Sequence, residues 1–239
     1  MRVDATFVRS AAGADDFPRD GAPETALVGR SNVGKSTLIN ALVRRRVART
    51  SGAPGKTRLA NIYRVDREGA RPLYLVDLPG YGYARGGSDS AREFDELTRA
   101  YFSRVGRVRR VSQVGQHLPA APDLPDLPDH VSALLLVDAR HPGLESDVDA
   151  WRWLRQTTER AAIVATKIDK LARGQRIRAL RELESVFEHS VLPVSAVTGE
   201  GLEELWKLID RLATNNNSRN SSSRPPRSSR ATRAAGPKN

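Results

Sequence analysis

The chain has 239 residues, enough for one well-buried α/β domain with length left over, and it contains no cysteine. Disulfides, thiolate metal sites, iron–sulfur clusters and cysteine nucleophiles are thereby excluded, and a reducing, cytoplasmic setting fits. The net charge is +11; six cations and no anion follow residue 213, which leaves +5 on residues 1–213 and points to a polyanionic partner or a solubilising tail.

Ala5, Thr6, Phe7 and Val8 read as a strand, followed by a polar loop with Pro18 and Gly21. Thr25, Ala26, Leu27 and Val28 form a short buried strand that runs into Gly29-Arg30-Ser31-Asn32-Val33-Gly34-Lys35-Ser36. Residues 35–43 then read as a helix with Leu38, Ile39 and Leu42 on one face. A glycine-rich loop between strand and helix aims backbone N–H groups at an anion. In this spacing Lys35 reaches the β- and γ-phosphates and Ser36 offers its hydroxyl to Mg²⁺.

Residues 44–58 read as a basic, flexible stretch. Within it Gly55, Lys56, Thr57, Arg58 and the adjoining Leu59 are candidate ligand contacts, with Thr57 favoured over Thr50 as a Mg²⁺ ligand. Residues 59–65 and 72–76 are strands, the second ending at Asp77-Leu78-Pro79-Gly80. Asp77 can hold Mg²⁺ through a water, and the Gly80 N–H can bond the γ-phosphate. A glycine-rich loop covers 80–87 and a helix 91–105. Prolines 119, 122, 125 and 128 recur every third residue, so 106–130 is expected to be an exposed loop, read as an insertion rather than a docking segment.

Residues 131–137 are a strand and 147–156 a helix carrying Val148, Trp151 and Leu154 on one side. Strand 161–165 leads into Thr166-Lys167-Ile168-Asp169. The Asp169 carboxylate can accept from guanine N1–H and the 2-amino group, donors that adenine lacks, and the Lys167 stem can lie over the ring. Helix 173–187 is expected to turn Ile177, Leu180, Leu183 and Phe187 inward. Strand 191–194 ends at Val194-Ser195-Ala196, whose backbone can meet the guanine O6, and helix 201–212 carries Leu202, Leu205, Ile209 and Leu212. Strands alternating with helices predict an α/β fold: a mostly parallel sheet covered on both faces. From residue 215 no apolar face exists, so 214–239 is expected to be a disordered basic tail. The longest apolar run, 133–137, is too short for a bilayer, so no membrane insertion is expected, and no secretory signal opens the chain. The three tryptophans, on predicted helices, are assigned to packing, and the four scattered histidines show no metal-ligand spacing.

The phosphate loop, Asp77 to Ala84 (DLPGYGYA), the Gly55-Lys56-Thr57 turn, Asp138-Ala139-Arg140-His141-Pro142 and Thr166 to Lys170 (TKIDK) together resemble the EngB (YihA/YsxC) family of P-loop GTPases. The resemblance spans about residues 1–213, the expected G domain. It implies GTP or GDP with Mg²⁺, a role in assembly of the large ribosomal subunit with rRNA as partner, a link to cell division and septation, and no DNA; a monomer is expected. Tyr81 follows Gly80 where a water-orienting Gln is usual, so a slow intrinsic rate is expected. Asn32, together with an aromatic at 81, resembles potassium-stimulated GTPases, which makes Asn32 a candidate K⁺ ligand beside Lys35, Thr57 and Gly80 in catalysis. Two other classes fit the same motifs: an RNA-binding module that holds nucleotide as a structural ligand, and a GTPase with a non-ribosomal septum partner.

Overall fold

The computed structural model describes residues 2–49, 59–81, 96–104 and 131–214. Gly55, Lys56, Thr57, Arg58, the loop beyond Tyr81, the 106–130 segment and the tail from 215 lie outside the described residues.

Among the described residues seven strands form one sheet: β1 (Val3–Ala11), β2 (Glu24–Gly29), β3 (Ala60–Arg67), β4 (Leu73–Asp77), β5 (Val131–Asp138), β6 (Ala161–Thr166) and β7 (Val191–Pro193), in the order β1-β3-β4-β2-β5-β6-β7. β4, β2, β5, β6 and β7 run parallel, and β1 and β3 join antiparallel at one edge. Every residue of β2 and β5 is buried, as continuous apolar runs in a two-sided parallel sheet require. The helices are α1 (Lys35–Leu42), α2 (helical residues 96–104), α3 (Glu145–Thr157), α4 (Arg173–Phe187) and α5 (Leu202–Ala213).

Two cores lie on opposite sides of the sheet. Leu38, Ile39 and Leu42 of α1 share one with Leu205, Trp206 and Ile209 of α5. Tyr101 and Phe102 of α2, Trp151 and Leu154 of α3, and Leu183 and Phe187 of α4 share the other. The tryptophans pack as expected: Trp206 lies under the Arg67 guanidinium at 4.1 Å and donates to Leu42 O, and Trp153 meets Phe102 edge-on at 5.5 Å.

The structure departs from the sequence reading at three points. Ile177 is 45 % exposed, because the buried stripe of α4 runs through Ala179, Leu183 and Phe187 and is narrower than the apolar pattern. β1 is nine residues long; exposed residues fill most of it, so its apolar pattern was a poor guide to its length. The turn after α1 is pinned rather than flexible over its first residues: Asn40 Oδ1 accepts from the N–H groups of Val47 and Ala48, and Nδ2 donates to Ala48 O, each at 2.8 Å. The exposed Arg44, Arg45 and Arg46 stand in that turn, and Arg45 pairs with Asp4 near the start of β1. At 1.5 Å rise per residue this is about 12 Å along α1 from the phosphate loop.

Candidate nucleotide-binding site

All the predicted motifs within the described residues gather at the carboxyl ends of the parallel strands, the usual ligand edge of such a sheet. β2 ends at Gly29, β4 at Asp77, β5 at Asp138, β6 at Thr166, and β7 leads to Val194 and Ser195.

The loop from Gly29 to Ser36 closes on α1 through Gly34, whose φ of 109° suits glycine alone. Lys35 is buried, and its Nζ donates to Gly29 O at 3.1 Å. Burial pushes its pKa down, while the Asp77 charge pulls it up. Asp77 is buried too; burial pushes its pKa up against the pull of Lys35 and a hydrogen bond from Ser36. Ser36 Oγ donates to Asp77 Oδ2 at 2.8 Å. Among the described residues no cluster of three His, Cys, Asp or Glu side chains exists that could hold a metal. The Ser36–Asp77 pair instead fits Mg²⁺, which keeps several waters and phosphate oxygens and takes one or two protein oxygens. Gly80 sits against the phosphate loop: a Cβ there would fall 2.7 Å from Ser31 N.

The side of the site that carries Thr166 to Asp169 is cross-braced. Thr166 Oγ1 donates to Val33 O at 2.8 Å, with Val137 O at 3.1 Å. Lys167, in the left-handed region at φ 60°, donates from Nζ to Asn32 O and to Asp138 Oδ2. Its Cε lies 3.8 Å from the position of a Cβ on Gly34, so the stem runs along the phosphate loop. Asp169 Oδ1 accepts from Ser195 Oγ at 2.7 Å; that bond lowers the Asp169 pKa. Ser195 is fully buried, and its Oγ in turn accepts from the N–H groups of Val197 and Thr198. The side chains of Val33, Leu78, Ile168 and Val194 lie in the core and that of Pro79 is buried, so these residues can offer a ligand only backbone atoms. Asn32 is exposed, Arg30, Ser31 and Ala196 are half-buried, and Leu59 is 42 % exposed beside β3.

Three contributors escaped the sequence reading. The sequence marks Asp138 only as part of a family motif; in the structure it takes Arg140 in a bidentate pair (2.9 and 2.7 Å) as well as Lys167. Burial raises its pKa, but the hydrogen bonds from Arg140 and Lys167 outweigh this and hold it well below the usual carboxylate range. Ser195 was read for its backbone, whereas its hydroxyl orients Asp169. The sequence pattern places Asp147 at a helix start; in the structure it is buried and accepts from the Tyr81 hydroxyl at 2.9 Å. Burial pushes its carboxyl up, opposed by Tyr81 and Arg30. The signal was available: Asp147 shares the i, i+4, i+7 stripe with Trp151 and Leu154, an acid on an apolar face.

Residues 24–120 match the family model described as "50S ribosome-binding GTPase". The probable GTP-binding protein EngB of Solibacter usitatus is 39 % identical over 206 residues, covering 86 % of this chain and 94 % of that one. That of Thermotoga maritima is 36 % identical over 217 residues, covering 89 % and 98 %. The chain belongs to the EngB family. It is therefore a GTP- and GDP-binding protein of the P-loop GTPase fold. A crystal structure of a probable EngB shares that fold at a TM-score of 0.51 and 22 % identity, over 80 % of this chain and 98 % of the other. Aquifex aeolicus Era, solved with GDP and AlF4⁻, matches at a TM-score of 0.61 and 21 % identity, over 80 % of this chain and 57 % of that one. Among the described residues no helix is long and apolar enough to cross a membrane.

Proposed function

We propose that this EngB-family chain is a slow, Mg²⁺-dependent GTP switch that acts on the large ribosomal subunit or its precursor in the cytoplasm, as a monomer, and that normal division and septation depend on it. The observation that carries this reading is the convergence of Lys35, Ser36, Asp77, Gly80 and Asp169 at one sheet edge. Lys35 and the loop N–H groups bind the phosphates; Asp169, held by Ser195, reads the base; Gly80 and Thr57 sense the γ-phosphate. Ser36, Thr57 and, through a water, Asp77 would hold Mg²⁺, which would supply charge neutralisation at the transferring phosphoryl group.

The low rate is supported by Tyr81. Its hydroxyl is bonded to buried Asp147 and its ring lies in the core, so it does not orient an attacking water from this position. The expected rate without a partner is roughly below one turnover per minute. K⁺ held by Asn32 is the proposed substitute for an arginine finger; equal rates in KCl and NaCl would remove that step. A net charge of +11 and the family description support rRNA as the partner. The likeness to Era, solved in complex with MgGDPNP and a stretch of 16S ribosomal RNA, concerns the fold.

The test is co-sedimentation with purified large subunits at physiological salt. Pelleting with a non-hydrolysable GTP analogue but not with GDP is the expected result. Equal pelleting in both states means that charge alone binds rRNA without switching. No pelleting in either state sinks the mature subunit as the partner.

A further inference from the structure

Asp147 is a buried acid to which the nucleotide reading gives no task. Asp147 lies in the first turn of α3 with its side chain 2 % exposed, and a single oxygen, Oδ1, serves two other elements. The Tyr81 hydroxyl donates to it at 2.9 Å, and Arg30 Nε stands 3.2 Å away. Arg30 belongs to the phosphate loop, and Tyr81 is the next residue after Gly80. Backbone contacts reinforce the link: Ser31 N–H donates to Tyr81 O at 3.1 Å, and Arg30 and Tyr81 form a parallel β-bridge. Gly80 is thereby pressed on Ser31, with no room for a side chain. A carboxylate this deep is costly unless it is paired and hydrogen-bonded. Here its partners are the phosphate loop and the turn beside the γ-phosphate position.

We propose that Asp147 is a positioning residue for the triphosphate. Through Tyr81 it holds the Gly80 turn against the phosphate loop and so sets the preference of the site for GTP over GDP. The proposal rests on the assignment of Gly80 to the γ-phosphate. Fixing a free backbone segment loses conformational entropy, and a turn already docked has lost it before the ligand arrives. GDP has no γ-phosphate and makes no use of the Gly80 N–H. An anchor on this turn therefore changes the affinity for the triphosphate alone, and a difference of affinities is what drives a switch. A role confined to holding α3 in place predicts something else: a loss of stability, or an equal loss for both nucleotides.

The experiment uses the full chain with Mg²⁺, titrating GDP and a non-hydrolysable GTP analogue. Tyr81→Phe removes only the hydroxyl and keeps the buried ring. It is expected to weaken the analogue about 3- to 10-fold, the size of one net hydrogen bond, and to leave GDP within about 2-fold. Asp147→Ala is expected to reduce the analogue-to-GDP ratio by a similar factor, with no further drop when Tyr81→Phe is added. Asp147→Asn keeps an acceptor for the tyrosine and should preserve most of the ratio. Gly80→Ala is the control for the underlying assignment. If it loses the analogue while Tyr81→Phe keeps the wild-type ratio, the positioning role is overturned and Gly80 stands. If neither changes the ratio, the Gly80 assignment falls and the proposal with it. A ratio that rises in Tyr81→Phe also overturns the proposal. Should Asp147→Ala fail to fold, Tyr81→Phe decides alone.

Discussion

Thr166→Val tests whether the end of β6 braces the phosphate loop. The side chains have the same shape, so packing is kept and one donor is lost. Thr166 is 4 % exposed and its hydroxyl donates to Val33 O at 2.8 Å; a hydroxyl has one proton, so the 3.1 Å approach to Val137 O is the weaker contact. Valine removes the donor from Val33 O and sets a methyl against both carbonyls. Losing one partner of a buried hydrogen bond costs about 1–3 kcal/mol. For a domain of this size that lowers Tm by about 3–10 °C. Both nucleotides use the loop, so GDP and the GTP analogue should weaken together. Thermal or urea unfolding of the nucleotide-free protein gives the first quantity and titration the second. Thr166→Asn, which restores a donor of longer reach, should recover part of the loss. A Thr166→Val protein with stability within about 0.5 kcal/mol of the parent and unchanged affinity would refute the brace.

Asp169→Asn should lower GDP affinity by orders of magnitude and favour xanthosine diphosphate, since the amide presents a donor to guanine N1–H; intact GDP binding would show that the base lies elsewhere. Ser195→Ala removes the hydrogen bond that lowers the Asp169 pKa. Guanine binding needs the carboxylate and is lost as pH falls through that pKa, so the loss should begin at higher pH in the variant; superimposable GDP affinity–pH curves would contradict the pairing. Arg104 of α2 pairs with Glu24 at the start of β2, and both are buried. Arg104→Leu should destabilise by about 3–5 kcal/mol, because it strands a buried charge. Burial already raises the Glu24 pKa. An acid whose folded pKa is raised binds more protons when folded, so the variant should lose stability as pH rises. Adding Glu24→Gln should restore much of it, and chemical unfolding at two pH values reads both effects.

The parts of this site that were legible in sequence share one property: their chemistry is carried by backbone geometry at fixed spacing. Gly34 needs its left-handed φ, and Lys35 and Ser36 open α1 directly after it, requirements that depend on no distant residue; Gly80 is legible from the spacing of its own motif, although the atom that bars a Cβ there, Ser31 N, lies in another segment. The strands β2 and β5 were legible for a similar reason, since a strand buried on both faces carries a continuous apolar run, residues 26–28 in the one and 133–137 in the other. What was not legible depends on pairs far apart in the chain. Thr166 looks like no more than the first residue of its motif until Val33 O is found 2.8 Å from its hydroxyl, 133 residues away. Ser195 looks like a backbone contact until its Oγ is seen on Asp169, and Asp147 looks like a helix-start acid until Tyr81 and Arg30 converge on it. Ile177 fails in the opposite direction: helical spacing assigned it inward, but only neighbouring elements decide how wide a buried stripe can be. Local spacing thus marks the groups proposed to touch a ligand, while the bonds that hold those groups still are set by strand order. In this chain Thr166 to Val33, Lys167 to Asn32 and Tyr81 to Asp147 each join two different motifs or elements. A substitution at any of them should therefore be read at the ligand as well as in stability, which separates a bracing residue from one that only fills the core.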